Sequence, residues 1–292
     1  MKLKDPYNRP VSNLRVSVTP ECNLSCIYCH REGEKSPKEP LNTREIGDVL
    51  STAAKFDIRS VKFTGGEPLL REDLVDIIRR VPDSMESSIT TNGILLADYA
   101  EELREAGLSR VNISLDSLNP DTYTKITGSD RLSDVLHGIE VALESGLTPI
   151  KLNMVMLRGI NDHELEDFYG YIRNNRHLIL QLIELMGLGG CECHSDLLAL
   201  EKDLAGRSKV ILTRRMHHRK KYCLDGAEIE VVRPLHNTEF CAFCNRLRVT
   251  SDGNLKPCLL RADNHVNIRG KTGIDLENAF LEAVKRRAPF YQ

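Results

Sequence analysis

The sequence predicts an α/β protein: a partial (β/α)6 barrel of the TIM type over residues 1–186, followed by a smaller C-terminal region over residues 187–292. Two observations predict the barrel. Short apolar runs typical of strands alternate with longer amphipathic stretches typical of helices, which implies parallel βαβ units. Six such runs are present, too few for a complete eight-fold barrel. The smaller region is predicted because the alternation stops near Gly187.

The predicted elements follow from local residue patterns. The strands are Leu14–Val18, Val61–Phe63, Ser87–Thr90, Arg110–Leu115, Ile150–Val155 and Ile179–Glu184. The first helix begins at Asn42, which forms a capping pair with Glu45 ahead of apolar residues at helical spacing. A second helix places its apolar residues from Leu74 to Val81 on one face. Further helices are predicted over Ala97–Ala106, Leu132–Ser145, Asp162–Asn174 and Asp275–Arg287.

Three turns that follow predicted strands are chemically informative. A cysteine-rich loop follows the first strand, Thr64–Pro68 (TGGEP) follows the second, and Thr91–Gly93 (TNG) follows the third. The carboxyl ends of parallel strands open onto one face of a barrel, where the chemistry of such folds lies. We therefore expect the three turns to contribute to one site.

Composition narrows the class of protein. The net charge is -2, so no basic excess points to nucleic acid. The polar start of the chain does not fit a signal peptide, and its most apolar stretch is short and interrupted by charge, so we expect a cytoplasmic protein without a membrane segment. Nine cysteines in such a chain argue against a disulfide framework. Six of them form two tight groups, which favours metal ligation.

The first cysteine group is Cys22, Cys26 and Cys29, with Tyr28 just before the last cysteine. Three closely spaced thiolates can hold three irons of a [4Fe-4S] cluster, and the fourth iron is then open to a substrate or cofactor. The alternative is a structural zinc loop that uses His30 as its fourth ligand.

The second group is Cys241, Cys244 and Cys258. It predicts a second cluster with an open iron, so the C-terminal region is expected to bind this cluster. The alternative is again structural zinc, completed by one further ligand from His236, Cys223 or Cys193. The neighbouring Cys191 and Cys193 are interpreted as spare thiols, since no complete ligand set is apparent around them.

The first group and the Gly-Gly-Glu-Pro turn resemble the signature of the radical S-adenosylmethionine (SAM) superfamily. The resemblance implies that SAM binds the open iron, and that one electron from the cluster yields a 5′-deoxyadenosyl radical. It implies a catalytic role for the first triad and a low-potential electron donor of flavodoxin or ferredoxin type. The residues it implies for SAM are Tyr28, Gly65, Gly66, Glu67, Ser114 and Met186.

The stretch from Cys241 to Cys258 resembles the C-terminal cluster region of the GTP 3′,8-cyclase family, which acts in molybdenum cofactor biosynthesis. That resemblance implies two [4Fe-4S] clusters, the second binding the guanine base, with GTP as substrate. It also implies a downstream partner, cyclic pyranopterin monophosphate synthase. The residues it implies for GTP are Arg15, Lys62, Thr90, Lys151, Arg246, Leu247 and Arg248.

Charge chemistry supports the phosphate assignment independently. A triphosphate carries about four negative charges, and arginine grips phosphate with two parallel bonds. Arg246 and Arg248 point the same way in an extended segment. The basic run Arg214–Lys221 is interpreted as a solvated loop, with added positive potential near a polyphosphate as the sharper reading. Two other functions stay open: a radical SAM peptide maturase with an auxiliary cluster, and a non-catalytic zinc-bound scaffold or electron carrier.

Overall fold

The computed structural model describes residues 2–33, 39–173, 175–186, 192–235 and 237–290. Its strands in chain order are β1 Asn13–Ser17, β2 Ser60–Thr64, β3 Glu86–Thr91, β4 Arg110–Ser114, β5 Ile150–Met156, β6 Leu178–Glu184, β7 Val210–Thr213, β8 Lys220–Leu224, β9 Ala227–Val232, β10 Arg246–Val249, β11 Asn254–Lys256 and β12 Val266–Asn267. Its α-helices are α1 Thr43–Lys55, α2 Leu74–Arg79, α3 Leu96–Glu105, α4 Pro120–Thr127, α5 Leu132–Glu144, α6 Leu165–Ile172, α7 Leu198–Arg207, α8 Thr238–Ala242 and α9 Gly273–Lys285.

The six predicted strands are β1 to β6, each correct to within one residue at either end. They lie side by side in chain order and every neighbouring pair is parallel. The helices between them supply the crossovers that parallel strands need. The predicted fold class, an α/β partial barrel, is confirmed.

The C-terminal region extends this sheet at both edges. Strand β10 pairs in parallel with β1, and β9 pairs in parallel with β6, so eight parallel strands stand in a row. Antiparallel strands follow on each side, and the sheet runs open from β12 to β7. We expected this region to cover the open side of a six-stranded barrel. It pairs instead with the edges of β1 and β6, where backbone hydrogen-bonding groups would otherwise lack partners. The boundary after residue 186 stays a prediction.

Side chains alternate along the parallel strands between an apolar outer face and a polar inner face. Val16, Phe63 and Ile113 are fully buried in the apolar core between sheet and helices. Their chain neighbours Arg15 and Lys62 point to the opposite face, because successive strand residues do so. TIM barrels normally fill the interior with branched aliphatic residues. Here the interior is polar and holds a cavity.

The helix-start signals in the sequence led to a correct prediction at α1, whereas α4 was not predicted. The capping box at the start of α1 is present, since Asn42 accepts from the Glu45 amide and Glu45 accepts from the Asn42 amide. The prediction missed α4, although its Asn119 cap and Pro120 are start signals. The predicted helix ending at Asn174 is a 3-10 turn followed by α6, and Asn174 itself lies outside the described residues. Across the ranges that the structure covers, none of the helices has the length and apolar character needed to cross a bilayer.

We predict that Asn42→Ala lowers the free energy of unfolding by about 1 kcal/mol, because α1 loses its N-terminal cap. Urea denaturation measures the change. Asn42→Asp is the matched control, since it keeps an acceptor for the Glu45 amide. An equal loss in both variants would contradict the capping explanation.

Candidate functional site

The first cysteine triad lies in the loop that follows β1. Its thiols are free; Cys22 and Cys29 are exposed and Cys26 is half-buried. Backbone bonds from Ser25 to Thr127 (3.0 Å) and from Ile27 to Ile126 (2.9 Å) tie the loop to the end of α4. Burial, then the neighbouring charges of Asp116, Cys29 and Cys22, raise the pKa of Cys26 to about 12. Such a group of thiols fits a bound metal centre, whose positive charge would hold them as thiolates.

The Gly65-Gly66 turn packs directly on the backbone of the cysteine loop. A Cβ atom at Gly65 would lie 2.3 Å from the Thr19 carbonyl oxygen, and one at Gly66 would lie 2.0 Å from that of Glu21. The Gly66 and Glu67 amides donate to those same two oxygens at 2.7 Å. We expected the turn to expose its backbone to SAM. These two amides fix the path of the cysteine loop, and only glycine permits the approach. The contact of the turn with SAM stays a prediction.

The Glu67 carboxylate is enclosed within the same turn. It accepts from the Thr91 hydroxyl (2.6 Å), the Asn92 amide (2.7 Å) and the Leu69 amide (3.0 Å). Burial raises its pKa to about 7. We expected Glu67 to accept from the ammonium group of SAM. Its observed bonds join the second and third turns. A bond from Glu67 to the ammonium group of SAM stays a prediction.

Tyr28 ties the cysteine loop to the end of β4. Its hydroxyl donates to Asp116 at 2.5 Å, and Asp116 also accepts from the Val155 amide at 2.8 Å. Burial and the Asp116 charge raise the Tyr28 pKa well above its usual value, so the phenol stays a donor. Asp116 was not among the predicted site residues, although it stands two positions after the predicted Ser114.

The inner face of the sheet encloses a cavity of about 740 Å³. Most of the predicted site residues line it: Arg15, Tyr28, Lys62, Thr90, Ser114, Lys151, Met186, Cys241, Cys244, Arg246, Arg248 and Cys258. The remainder lie elsewhere: Cys22, Cys26, Cys29, Gly65, Gly66 and Glu67 belong to the loops just described, and Leu247 is in the apolar core. Leu247 turns away because it stands between two inward-facing residues of β10.

The cavity wall is strongly cationic. Lys62 and Arg246 have no ion-pair partner within the ranges that the structure covers. Burial and the charge of Arg15 lower the pKa of both groups. Glu32 bridges Arg15 and Arg248 at 2.9 Å each. Burial by itself would raise the pKa of Glu32, but the charges of the two arginines outweigh it and lower that pKa to about 2. Uncompensated buried cations of this kind favour an anionic ligand.

Lys151 is held by a second carboxylate. Its Nζ atom lies 2.6 Å from Glu230, which also accepts from Arg214 at 2.6 Å. Burial is the main reason that the Lys151 pKa falls to about 8, and Glu230 opposes that fall. Neither Glu32 nor Glu230 was predicted, because only the folded chain brings them to their partners. Glu32 is 17 residues from Arg15 and 216 from Arg248 along the sequence. Glu230 is 79 residues from Lys151 and 16 from Arg214.

The second cysteine triad opens into the cavity and is anchored from behind. Arg9 donates to the Cys241 carbonyl at 2.9 Å, and Arg287 donates to that of Cys244 at 2.6 Å. Asp5 pairs with both arginines. Burial raises the pKa of the Cys244 thiol, but Arg287, Arg246 and Arg248 outweigh it and the net shift is downward. This donor set of three cysteines with a stabilised thiolate fits an iron–sulfur cluster.

The proposed helpers of a zinc site give no support to that alternative. In the ranges described, no three His, Cys, Asp or Glu side chains converge as a single-ion site. Cys223 is a free thiol of β8 and does not line the cavity. Cys193 is disulfide-bonded, so its interpretation as a spare thiol is wrong. Cys191 and His236 lie outside the described residues.

The basic run holds the main group of residues that sequence reasoning misplaced. Arg214, Arg215 and Arg219 line the cavity, together with His217. We expected a solvated loop, with added positive potential near a polyphosphate as the sharper reading. Arg215 is exposed, as the first reading expects, whereas Arg214 and Arg219 are half-buried and His217 is buried. The signal was present as the run itself, but nothing local indicates that the segment turns toward the second triad.

Comparison with known families accounts for both parts of the chain. Residues 16–172 match the Radical SAM superfamily, and residues 178–292 match Molybdenum Cofactor Synthesis C. The fold and the first range define a radical SAM enzyme, a class that uses a [4Fe-4S] cluster and SAM.

Curated relatives specify the family. A probable GTP 3′,8-cyclase from Methanosarcina acetivorans is 50% identical over 99% of this chain and 90% of its own length. One from Archaeoglobus fulgidus is 48% identical over 99% of both chains. One from Methanocella arvoryzae is 46% identical over 99% of this chain and 95% of its own. The chain belongs to the GTP 3′,8-cyclase family.

Solved structures share the fold at low identity. Streptococcus suis SuiB bound to precursor peptide SuiA superposes with a TM-score of 0.71 at 17% identity, over 94% of this chain and 66% of SuiB. Native anSMEcpe with bound AdoMet superposes with a TM-score of 0.58 at 19% identity, over 92% of this chain and 81% of anSMEcpe. These likenesses concern the fold alone.

We predict that Gly66→Ala displaces the cysteine loop, because its Cβ would lie 2.0 Å from the Glu21 carbonyl oxygen. The expected cost is about 1–3 kcal/mol of unfolding free energy, from overpacking, with less iron retained by the loop. Urea denaturation and iron analysis measure the two effects. Gly206→Ala is the control: nothing lies within 4 Å of its added Cβ, so stability should hold or rise. Full iron loading in Gly66→Ala would refute this role of the glycine.

Proposed function

We propose that this chain converts GTP into (8S)-3′,8-cyclo-7,8-dihydroguanosine 5′-triphosphate as a radical SAM lyase of molybdenum cofactor biosynthesis. The observation that carries the proposal is the placement of three cysteine thiols and a set of buried cations on one cavity wall. A nucleotide is complementary to both features, because its base can bind a metal centre held by the thiols and its polyphosphate can bind the cations. The names of relatives at 46–50% identity support the same substrate.

The first triad, Cys22, Cys26 and Cys29, is proposed to hold the cluster at which SAM binds. The cluster supplies one electron, which cleaves SAM to methionine and a 5′-deoxyadenosyl radical. Tyr28 and Gly66 hold the loop that carries these thiols through the contacts described above. Ser114 and Met186 line the adjoining cavity and are proposed SAM contacts.

The second triad, Cys241, Cys244 and Cys258, is proposed to hold a second [4Fe-4S] cluster that meets the guanine base. With the base held there, the ribose would have to face the first triad, so that its 3′ hydrogen could be removed and the C3′–C8 bond could form. Completion of the ring needs one further electron and one proton. We propose a flavodoxin-type or ferredoxin-type donor for the electrons and cyclic pyranopterin monophosphate synthase as the enzyme that takes the product.

The cationic wall is proposed to bind the triphosphate. Arg246 and Arg248 stand two apart on β10, and Arg15 stands directly beside Arg248 on β1. Lys62 follows next to Arg15 on β2. Three neighbouring strands of defined register, β10, β1 and β2, therefore supply these contacts. Thr90 of β3 and Lys151 of β5 lie further along the wall. Arg15 and Arg248 form ion pairs with Glu32, so the proposal requires the triphosphate to displace the Glu32 carboxylate.

The direct test is anaerobic reconstitution followed by incubation with GTP, SAM and a low-potential reductant. The expected products are 5′-deoxyadenosine and the cyclised nucleotide in equal amounts, identified by mass spectrometry. SAM cleavage that depends on an added peptide and ignores GTP would refute the proposal in favour of a maturase. Protein that binds zinc in place of iron would refute it in favour of a scaffold.

We predict that Cys244→Ser lowers bound iron from about eight to about four per chain, the content of one cluster in place of two. Cyclisation should stop, while SAM cleavage at the first triad continues. Cys223→Ser is the matched control, since Cys223 is a free thiol away from the cavity and should leave iron and activity unchanged. About four irons in the unaltered protein would contradict the two-cluster proposal.

We predict that GTP affinity falls as pH rises above about 8, the pKa of Lys151. Burial lowers that pKa, so the free protein loses the proton near pH 8, whereas the bound triphosphate favours the ammonium form and binding takes up a proton. Far above this pKa the affinity should fall up to about tenfold per pH unit. Calorimetry across about pH 7 to about pH 9 measures both effects. Lys151→Arg should bind with little dependence on pH in this range, because arginine keeps its charge; an unchanged pH profile would exclude Lys151 as the source.

A further inference from the structure

The basic run brings a turn across the cavity to the second triad. Residues Met216–His218 form a 3-10 turn, and its two histidines stack on aromatic rings of α8 and its end. The ring centroids of His217 and Phe240 are 3.7 Å apart, and those of His218 and Phe243 are 3.3 Å apart. The His217 amide also donates to the Phe243 carbonyl at 3.0 Å. Arg219, at the end of this turn, is therefore held in place by the second-triad segment.

Arg219, like Lys62 and Arg246, has no carboxylate at ion-pair distance within the described ranges, although the charge of Glu230 acts on it from further away. Its Nη1 donates to the Gln181 side-chain oxygen at 2.9 Å, and its Nη2 approaches the Met216 sulfur at 3.7 Å. Its Nε is buried with no acceptor. Arg214, by contrast, makes two bonds to Glu230.

The position of Arg219 completes a ring of cations around the cavity. Arg246 also points an Nη2 atom at the Met216 sulfur, at 3.2 Å. Both guanidinium groups therefore approach the same sulfur atom. Arg246 does so from β10, and Arg219 does so next to β6, where it bonds to Gln181. A single ligand in the cavity can reach both.

We infer that Arg219 is a phosphate-binding residue, which together with Arg246 grips the polyphosphate chain of the nucleotide. This inference rests on the proposed function. A buried guanidinium carries five donors and a full charge, and one amide oxygen with one thioether satisfies little of either. Phosphate oxygens satisfy both, with the bidentate geometry that arginine favours. A purely structural bond to Gln181 leaves the charge and the Nε donor unexplained.

The test compares GTP with guanosine, which carries the same base and ribose without phosphate. Binding is measured anaerobically by equilibrium dialysis on the reconstituted protein without SAM, so that no turnover occurs. Arg219→Met should weaken GTP binding by about 10-fold to 100-fold, the loss expected for a charge-assisted bond. Guanosine binding should stay the same. Arg219→Lys should recover only part of the loss, because lysine restores the charge but not the paired geometry.

Lys220→Met is the matched control, since it removes a neighbouring cation that is exposed and does not line the cavity. It should leave both affinities unchanged. Equal GTP binding by Arg219→Met and the unaltered protein would overturn the inference. A parallel fall for GTP and guanosine would overturn it too, because that result marks a structural role. If the unaltered protein itself failed to bind GTP, the proposed function would fall rather than the assignment of Arg219 alone.

Discussion

The structure depends above all on the burial of positive charge inside the sheet. The register of the parallel strands brings Arg15, Lys62 and Arg248 side by side on the inner face, where a TIM barrel would hold packed aliphatic residues. Like charges in a low-dielectric interior repel one another and lose hydration. Glu32 and Glu230 neutralise part of this charge. The positive charge that these carboxylates leave unneutralised lowers the stability of the fold. An anionic ligand would offset that loss, so the same buried charge favours binding of an anion.

Both cysteine loops are held in place by hydrogen bonds to their backbone. Around the first triad, Gly66 permits a contact that any other residue would block. Around the second, Arg9 and Arg287 hold two carbonyls of the loop, and Asp5 holds both arginines. These backbone contacts fix the path of both loops, and positions fixed in this way suit the binding of a metal centre.

The C-terminal region contributes strands to the central sheet and residues to the cavity wall. By adding β10 beside β1 and β9 beside β6, it places its own residues on both walls of the cavity. The turn at Met216–His218 then spans the space between them. Structural relatives with the same barrel at 16–19% identity include a peptide-bound one, so the barrel alone does not specify a substrate.

The sequence by itself determined the six central strands, the first helix cap and the two cysteine triads, because each depends on neighbours within a few residues. Alternation along a strand also foretold that Arg246 and Arg248 share a face. Only the tertiary structure decided the roles of Glu67 and of the basic run. Glu67 had to meet Thr91 and Asn92 across two strands, and Arg219 had to be carried to the cavity by a turn that stacks on α8. Such contacts join distant segments whose meeting depends on the whole sheet, and no local pattern encodes them.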